Sequence, residues 1–288
     1  MSNMQTLRRR SRSVRSTYQI TKAMEMISAS KMRKASDAAL ASRSYAEAAE
    51  EMLAHLRFAA DVSKRPLYIK RTVKRKLYIV VSSNRGLSGA FNKNIAKELN
   101  RSLDEDQKNN IEALAILIGR RANHFTQNLR RLKVIGHYDN LPDHPDFADL
   151  SPLLSTAIKA FSEKPYVADE VRLIYTKFVS HFKHEVLNST LLPAGISELD
   201  KSIVKLAEFE PDVNTVLDIV TRRLLDSRLL QAYLESQASE QSARMIAMQS
   251  ASDNAKDLIE DLKLTMNSLR QQNITNELAE IAAGAEVA

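Results

Sequence analysis

The stretch LESQASEQSARMIAMQSASDNAKDLIEDLKLTMNSL, Leu234 to Leu269, contains no glycine and no proline. Stepping alternately by four and three from Leu234 reaches Ala238, Gln241, Met245, Met248, Ser252, Ala255, Ile259, Leu262, Met266 and Leu269. Nine of those eleven positions are apolar. A seam with this spacing is what one helix presents to another in a coiled coil. An earlier phase runs through Val213, Leu217, Val220 and Leu224. A later one, displaced past a stutter near Asn273, runs through Ile274, Leu278, Ile281 and Ala285.

The punctuation of the chain shows where a partner helix comes from. All seven prolines lie between Pro66 and Pro211; five of the six glycines lie between Gly86 and Gly195, and the sixth is Gly284. Gly and Pro cost about 1 and 3 kcal/mol inside a helix, so residues 1–65 and 212–283, which have neither, read as two long helices. At 1.5 Å per residue they span roughly 90 and 110 Å, far more than a compact domain. The first carries a less regular apolar series, Leu7, Val14, Tyr18, Ile20, Met24 and Ile27, then Ala35, Ala38, Tyr45, Met52 and Leu56. Ile20, Met24 and Ile27 are its expected seam, and its alanines permit close helix approach.

Charge supports a meeting of the two ends. The net charge is +7, but residues 1–76 hold eighteen Lys/Arg against six Asp/Glu, whereas residues 212–288 hold seven against twelve. Complementary ends suit an antiparallel intramolecular coiled coil, and a basic arm for nucleic acid or anionic lipid is the other meaning of such an asymmetry. The run LRRRSRSVR, Leu7 to Arg15, is Arg-rich, Ser-rich and free of acids, the composition of an organelle presequence. Against cleavage, the helical register continues to about Leu56. Against nucleic acid, the run lacks interleaved aromatics. There is no cysteine, hence no disulfide and no thiolate metal site, and no apolar run approaches the roughly 18 residues of a membrane span.

The middle of the chain alternates strand and helix. KLYIVVSS reads as a strand, Asn92 to Leu103 as a helix and EALAILIG as a strand. A helix near Asn123 to Arg131, the strand LKVIGHY and a helix near Leu153 to Phe161 follow, then the strands EVRLIYTKFVS and HEVLNSTLLP. Near-continuous apolar strands alternating with helices predict a mostly parallel, Rossmann-like sheet. The fold class is therefore α/β: an N-terminal coiled-coil helix over 1–65, a Rossmann-like domain over 66–210 and a C-terminal coiled-coil helix over 211–288.

Candidate chemistry is sparse. SSNRGLSGAFNKN, Ser82 to Asn94, follows the first strand and opens a helix, the place where a doubly wound fold binds phosphate. Only Gly86 and Gly89 stand there, short of a G-x-G-x-x-G fingerprint, and no phosphate loop ending in Gly-Lys-Ser/Thr occurs. Arg120 and Arg121 after the second strand suit a 2′-phosphate, so an NADP-dependent enzyme with coiled-coil arms stands as one reading and a tight strand-to-helix turn as the other. The six histidines (His55, His124, His137, His144, His181 and His184) are scattered, and neither G-x-S-x-G nor H-E-x-x-H is found. The residues assemble no catalytic constellation, and no cofactor or metal is expected.

Three segments carry a specific resemblance. ITKAMEMISASKMRKA (20–35), SEQSARMIAMQSASDNA (239–255) and ITNELAEIAAGA (274–285) resemble the gamma subunit of the F-type ATP synthase. Within the last, Ile274, Thr275, Glu277, Glu280, Gly284 and Ala285 match that family's terminal signature. VVSSNRGLSGAFN resembles its first strand and turn, SDRGLCGGLN in many members, and FEPD (209–212) its lead into the last helix. Ser88 replaces a cysteine common in the family, at a turn position where no loss is expected. The absence of cysteine excludes the thiol control of the chloroplast type. The resemblance covers essentially the whole chain, tightly at the ends and loosely between Asp104 and Lys205, and the length and immediate start look bacterial.

That resemblance implies a noncatalytic central-stalk rotor in the cavity of three alpha and three beta subunits, its foot against epsilon and the membrane ring of c subunits. It implies coupling of proton flow to ATP synthesis, regulation of ATPase activity, no nucleic acid, and peripheral attachment at the cytoplasmic face of the bacterial inner membrane. By motif, Met24 faces a beta lever loop, and Arg244, Gln271 and Thr275 match positions at a beta catch loop. By charge, Lys22 and Arg33 face acidic beta loops. Phe209 and Glu210 fall near the foot by the c ring and epsilon. Helix-surface or seam packing is the other reading for each.

Overall fold

A computed structural model describes residues 2–59, 65–139, 141–142, 145–164, 167–194 and 212–286. The elements are α1 (Ser2–Ala59), β1 (Arg75–Val81), α2 (Phe91–Lys108), β2 (Glu112–Ile118), α3 (Arg120–Thr126), β3 (Leu132–Tyr138), α4 (Phe147–Ser162), β4 (Glu170–Phe178), β5 (His184–Leu192) and α5 (Val213–Glu286). The chain forms two compact units, residues 1–29 with 244–288, and residues 30–243.

In the larger unit the five strands lie in the order β3-β2-β1-β4-β5. β1 pairs in parallel with β2 and β4, and β2 with β3; β5 is antiparallel to β4. Strand alternation sends residues to two cores. Leu77, Ile79 and Val81 with Leu114, Ile116 and Ile118 face α4 (Leu150, Leu153, Leu154, Ala157, Phe161) and the α5 residues Leu225, Leu229, Leu230 and Tyr233. Tyr78 and Val80 with Ala115 and Leu117 face Phe91, Ile95, Leu99 and Leu103 of α2. Both faces of the central strands are covered, which is why they are apolar without a break. Helix α4 begins at Phe147, earlier than expected, because an Asp146–Asp149 capping box starts it and Pro152 is accommodated inside it. Helix α3 ends at Thr126, short of the expected Arg131.

Within this unit α1 and α5 also pack on each other. Leu53 meets Leu217, Val220 and Leu224, and the Arg43 guanidinium pairs with Glu235 at 3.0 Å. Asp212 starts α5 by accepting from the Asn214 and Thr215 amides and from the Thr215 hydroxyl, which holds its carboxyl below the ordinary range.

In the smaller unit the buried positions of α5 after Arg244 are Met248, Ser252, Ala255, Ile259 and Leu262, the predicted seam. Those of α1 are Ser11, Thr21 and Ser28, in phase with the partly buried Leu7, Val14 and Tyr18, which corrects the expected Ile20, Met24 and Ile27 phase. Ile20 and Ile27 are 58% and 56% exposed and Met24 is half-buried. The Ser252 hydroxyl donates to Thr21 Oγ1 at 2.8 Å, while Thr21 donates to the backbone carbonyls of Thr17 and Tyr18. Small residues at Ser11, Thr21 and Ser28 let the two backbones approach more closely than isoleucines allow.

Candidate coupling surface and the strand-end turn

At the turn after β1, the place for a phosphate is occupied by the loop itself. Ser82 Oγ donates to the Ile118 carbonyl and accepts from the Ala122 amide, both at 2.8 Å. The Asn92 side chain donates to Ser83 Oγ at 2.7 Å and Ser88 Oγ at 3.2 Å and accepts from the Ser83 amide. Gly119, at φ +87°, passes so close to Ser82 that a Cβ there would sit 2.4 Å from the Ser82 carbonyl oxygen. A Cβ on Gly86 would meet the Arg121 guanidinium at 2.4 Å. Gly119 thus serves a close approach of backbone to backbone, and the geometry favours the tight-turn reading. Ser88 is buried in that turn and takes part in its hydrogen bonding.

A polar cleft of about 240 Å³ lies between α2 and β5. Its cations have partners: Lys76 with Asp106 at 2.6 Å, Arg101 with Glu98 at 2.8 Å and Arg172 with Glu170 at 2.9 Å. Asp106 also accepts from the buried Tyr78 hydroxyl, and burial with this bond pushes the Tyr78 phenol upward. Among the described residues no group of three or more His, Cys, Asp or Glu is placed to hold a metal ion. His184 is half-buried beside Phe178, and desolvation lowers its pKa.

The other candidates are strung along helices. Lys22 is exposed and hydrogen-bonds Glu25 at 2.9 Å; that bond raises its pKa, and the more distant Asp253 adds in the same direction. Arg244 is only 6% exposed, so most of its side chain is covered within the protein. Gln271 and Thr275 are exposed, and Thr275 Oγ1 donates to the Gln271 carbonyl at 2.9 Å. At 1.5 Å per residue they lie about 28 Å or more along α5 from Ser252, so they form no common site with Met24, which neighbours the Thr21–Ser252 contact. Arg33 is exposed on the part of α1 that belongs to the larger unit. Phe209 and Glu210 lie outside the described residues.

Hydrophobic periodicity missed a buried polar strip on α5, Glu235, Ser236, Ser239 and Ser242. The signal for part of it was a serine at every third position from Ser236 to Ser242. It also missed outward apolar residues, among them Met26 at 60% exposure and Leu264 at 68%.

The long helices carry outward apolar and basic residues, the surface of a protein that binds partners. A family model described as ATP synthase matches residues 3–287. The ATP synthase gamma chain of Psychrobacter sp. strain PRwf-1 is 36% identical over 292 residues, 99% of each chain. That of Cupriavidus necator is 38% identical over 291 residues, again 99% of each. A chain from the central stalk and c-ring structure of the Tetrahymena thermophila mitochondrial ATP synthase superposes with TM-score 0.62 at 26% identity, over 81% of this chain and 99% of that one. A chain of the Euglena gracilis mitochondrial enzyme shares the fold at TM-score 0.68 and 18% identity, over 99% and 94%. The chain belongs to the ATP synthase gamma-chain family, the central-stalk rotors of the F-type enzyme.

Proposed function

We propose that this chain is the noncatalytic shaft that couples ion flow through the membrane sector to the catalytic cycle of its complex, and regulates ATPase activity there. The observation that carries the reading is the helix pair of the smaller unit. Its seam sets the small α1 residues Ser11, Thr21 and Ser28 against α5, with the Thr21–Ser252 hydrogen bond, and leaves Ile20, Met26, Ile27 and the cation Lys22 on the outside. Such a surface fits a collar of larger subunits, three alpha and three beta, with no interaction unique enough to trap one angle. Methionine in particular repacks against several surfaces.

An asymmetric shaft inside a threefold collar presents a different face to each beta subunit. Each beta site is then biased toward a different conformation, and rotation cycles the bias; this is a population shift driven by differential contact energy. ATP chemistry belongs to the partner, in keeping with a strand-end turn whose polar groups bond one another. Met24 and Lys22 fall beside the seam where a beta lever loop and acidic beta loops would reach them. Arg33 presents a further cation to those loops. Gln271 and Thr275 fall on exposed α5 surface suited to a catch loop, with the mostly covered Arg244 in support. Phe209 and Glu210 would serve the foot, toward epsilon and the c ring. The division into a helix over 1–65, a domain over 66–210 and a helix over 211–288 is the functional one we adopt. No described helix is long and apolar enough to cross a membrane, and we place the chain peripherally, on the cytoplasmic face of the bacterial inner membrane, held through its partners.

The test is copurification with subunit counting from the source cell membrane. Recovery of one copy per three alpha and three beta subunits, with epsilon and the c ring, is expected. A monomer that binds NADP and no ATPase subunit would sink the reading and revive the enzyme alternative.

A further inference from the structure

β4 runs past its neighbour. β1 pairs with it only as far as Ile174, yet β4 continues to Phe178. Beyond Ile174 its edge on the β1 side faces no strand, and backbone groups buried there need other partners. Helix α5 supplies them from side chains. Ser236 Oγ accepts from the Thr176 amide at 3.4 Å, and Ser239 Oγ donates to the Thr176 carbonyl at 3.2 Å. Ser242 Oγ donates to the carbonyl of His181, in the turn joining β4 to β5, at 2.5 Å. These serines recur every third residue, one turn of the helix apart, and each is at most 1% exposed. The turn they hold is closed on itself by the Val179 and Ser180 amides, which donate to the Lys183 carbonyl.

We propose that Ser236, Ser239 and Ser242 are positioning residues forming a polar latch that fixes the β4–β5 hairpin to α5 in one register and so transmits torque between the sheet and the helix. The latch rests on the rotor reading above. Apolar contact alone would hold the two surfaces together but tolerate small slips, because the hydrophobic effect is non-directional. Hydrogen bonds to defined backbone atoms do not, since any displacement strands a buried amide or carbonyl. Serine is the side chain that meets the need. It is small enough for full burial and can act as donor at one step and acceptor at the next. The neighbouring Arg43–Glu235 pair ties α1 to the same stretch of α5. All three elements of the larger unit that meet here are thereby pinned.

The test uses the assembled synthase in inverted membrane vesicles, with Ser236→Ala, Ser239→Ala and Ser242→Ala combined. Normal subunit composition and ATP hydrolysis within about two-fold of the parent are expected, with proton pumping per ATP lowered at least about five-fold, the population effect of losing even one of the three net hydrogen bonds. Unchanged pumping per ATP overturns the latch. Because the triple variant can fail to assemble, a second measurement uses the full chain alone with the single change Ser236→Ala. The Thr176 amide, having lost its acceptor, should exchange hydrogen about five-fold faster; unaltered exchange at Thr176 also overturns the proposal. Failure of the parent chain itself to assemble with ATPase subunits defeats the rotor reading instead, and leaves the Thr176 amide to report on the latch.

Discussion

Removing Arg43 tests whether the helix pair of the larger unit is held by charge. Its guanidinium lies 3.0 Å from Glu235, whose side chain is 2% exposed against 40% for Arg43. Removing one partner of a fully buried pair costs about 3–5 kcal/mol, because the other charge is stranded. Here the arginine is partly in water, so its attraction is screened, and Gln231 still donates to Glu235 at 3.1 Å. The discounted cost of Arg43→Ala is about 2 kcal/mol. Glu235→Gln keeps the shape and removes the charge, at about 1 kcal/mol. The double variant should then lose well under the sum of the two, since the glutamine no longer needs the arginine.

Hydrogen exchange of the β4 and α5 amides reads the opening free energy directly, and about 2 kcal/mol is roughly a thirty-fold rise in rate. Tyr175 gives an independent readout. Burial pushes its phenol up to about 12, Glu235 adds to the rise and Arg43 opposes it. Arg43→Ala should therefore move the tyrosine titration higher, and Glu235→Gln lower. A loss below about 0.5 kcal/mol for Arg43→Ala, or strict additivity in the double variant, would refute the reasoning.

Met24→Lys should leave folding intact, because Met24 is only half-buried, while lowering ATP-driven proton pumping; normal pumping in vesicles would remove it from the coupling surface. Gly119→Ala should cost about 3 kcal/mol or more, combining a left-handed backbone with a contact 2.4 Å from the Ser82 carbonyl, and a thermal shift of under about 2 °C would contradict this. Burial raises the Asp226 carboxyl above its ordinary value of 3.8, with Arg222 and Arg223 opposing. A raised acid penalises the fold above its folded pKa and is relieved as pH falls toward the unfolded one. Asp226→Asn should therefore stabilise at pH 7 and stabilise progressively less toward pH 4 in urea melts; a gain independent of pH would show that charge is not the cause.

The sequence by itself determined which stretches are helix and which are sheet. Two breaker-free ends can be little else, and apolar residues at nine of the eleven seam positions of α5 from Leu234 to Leu269 left one phase open. The parallel strands were equally legible, since burial on both faces leaves an unbroken apolar run such as Tyr78 to Val81. Tertiary structure decided the rest, because it turns on neighbours rather than periodicity. The α1 seam is Ser11, Thr21 and Ser28. Small hydroxyl residues read as surface until a second helix comes close enough to bury them. Ile20 and Ile27 read as seam for the converse reason, and only the packed pair shows them facing outward. The serines of α5 became meaningful only when β4 proved longer than β1, exposing backbone groups that no pattern of side chains announces. Likewise the glycines after β1 read in the sequence as a candidate phosphate turn, and only the fold shows its polar groups bonding one another and Gly119 passing close to the Ser82 backbone.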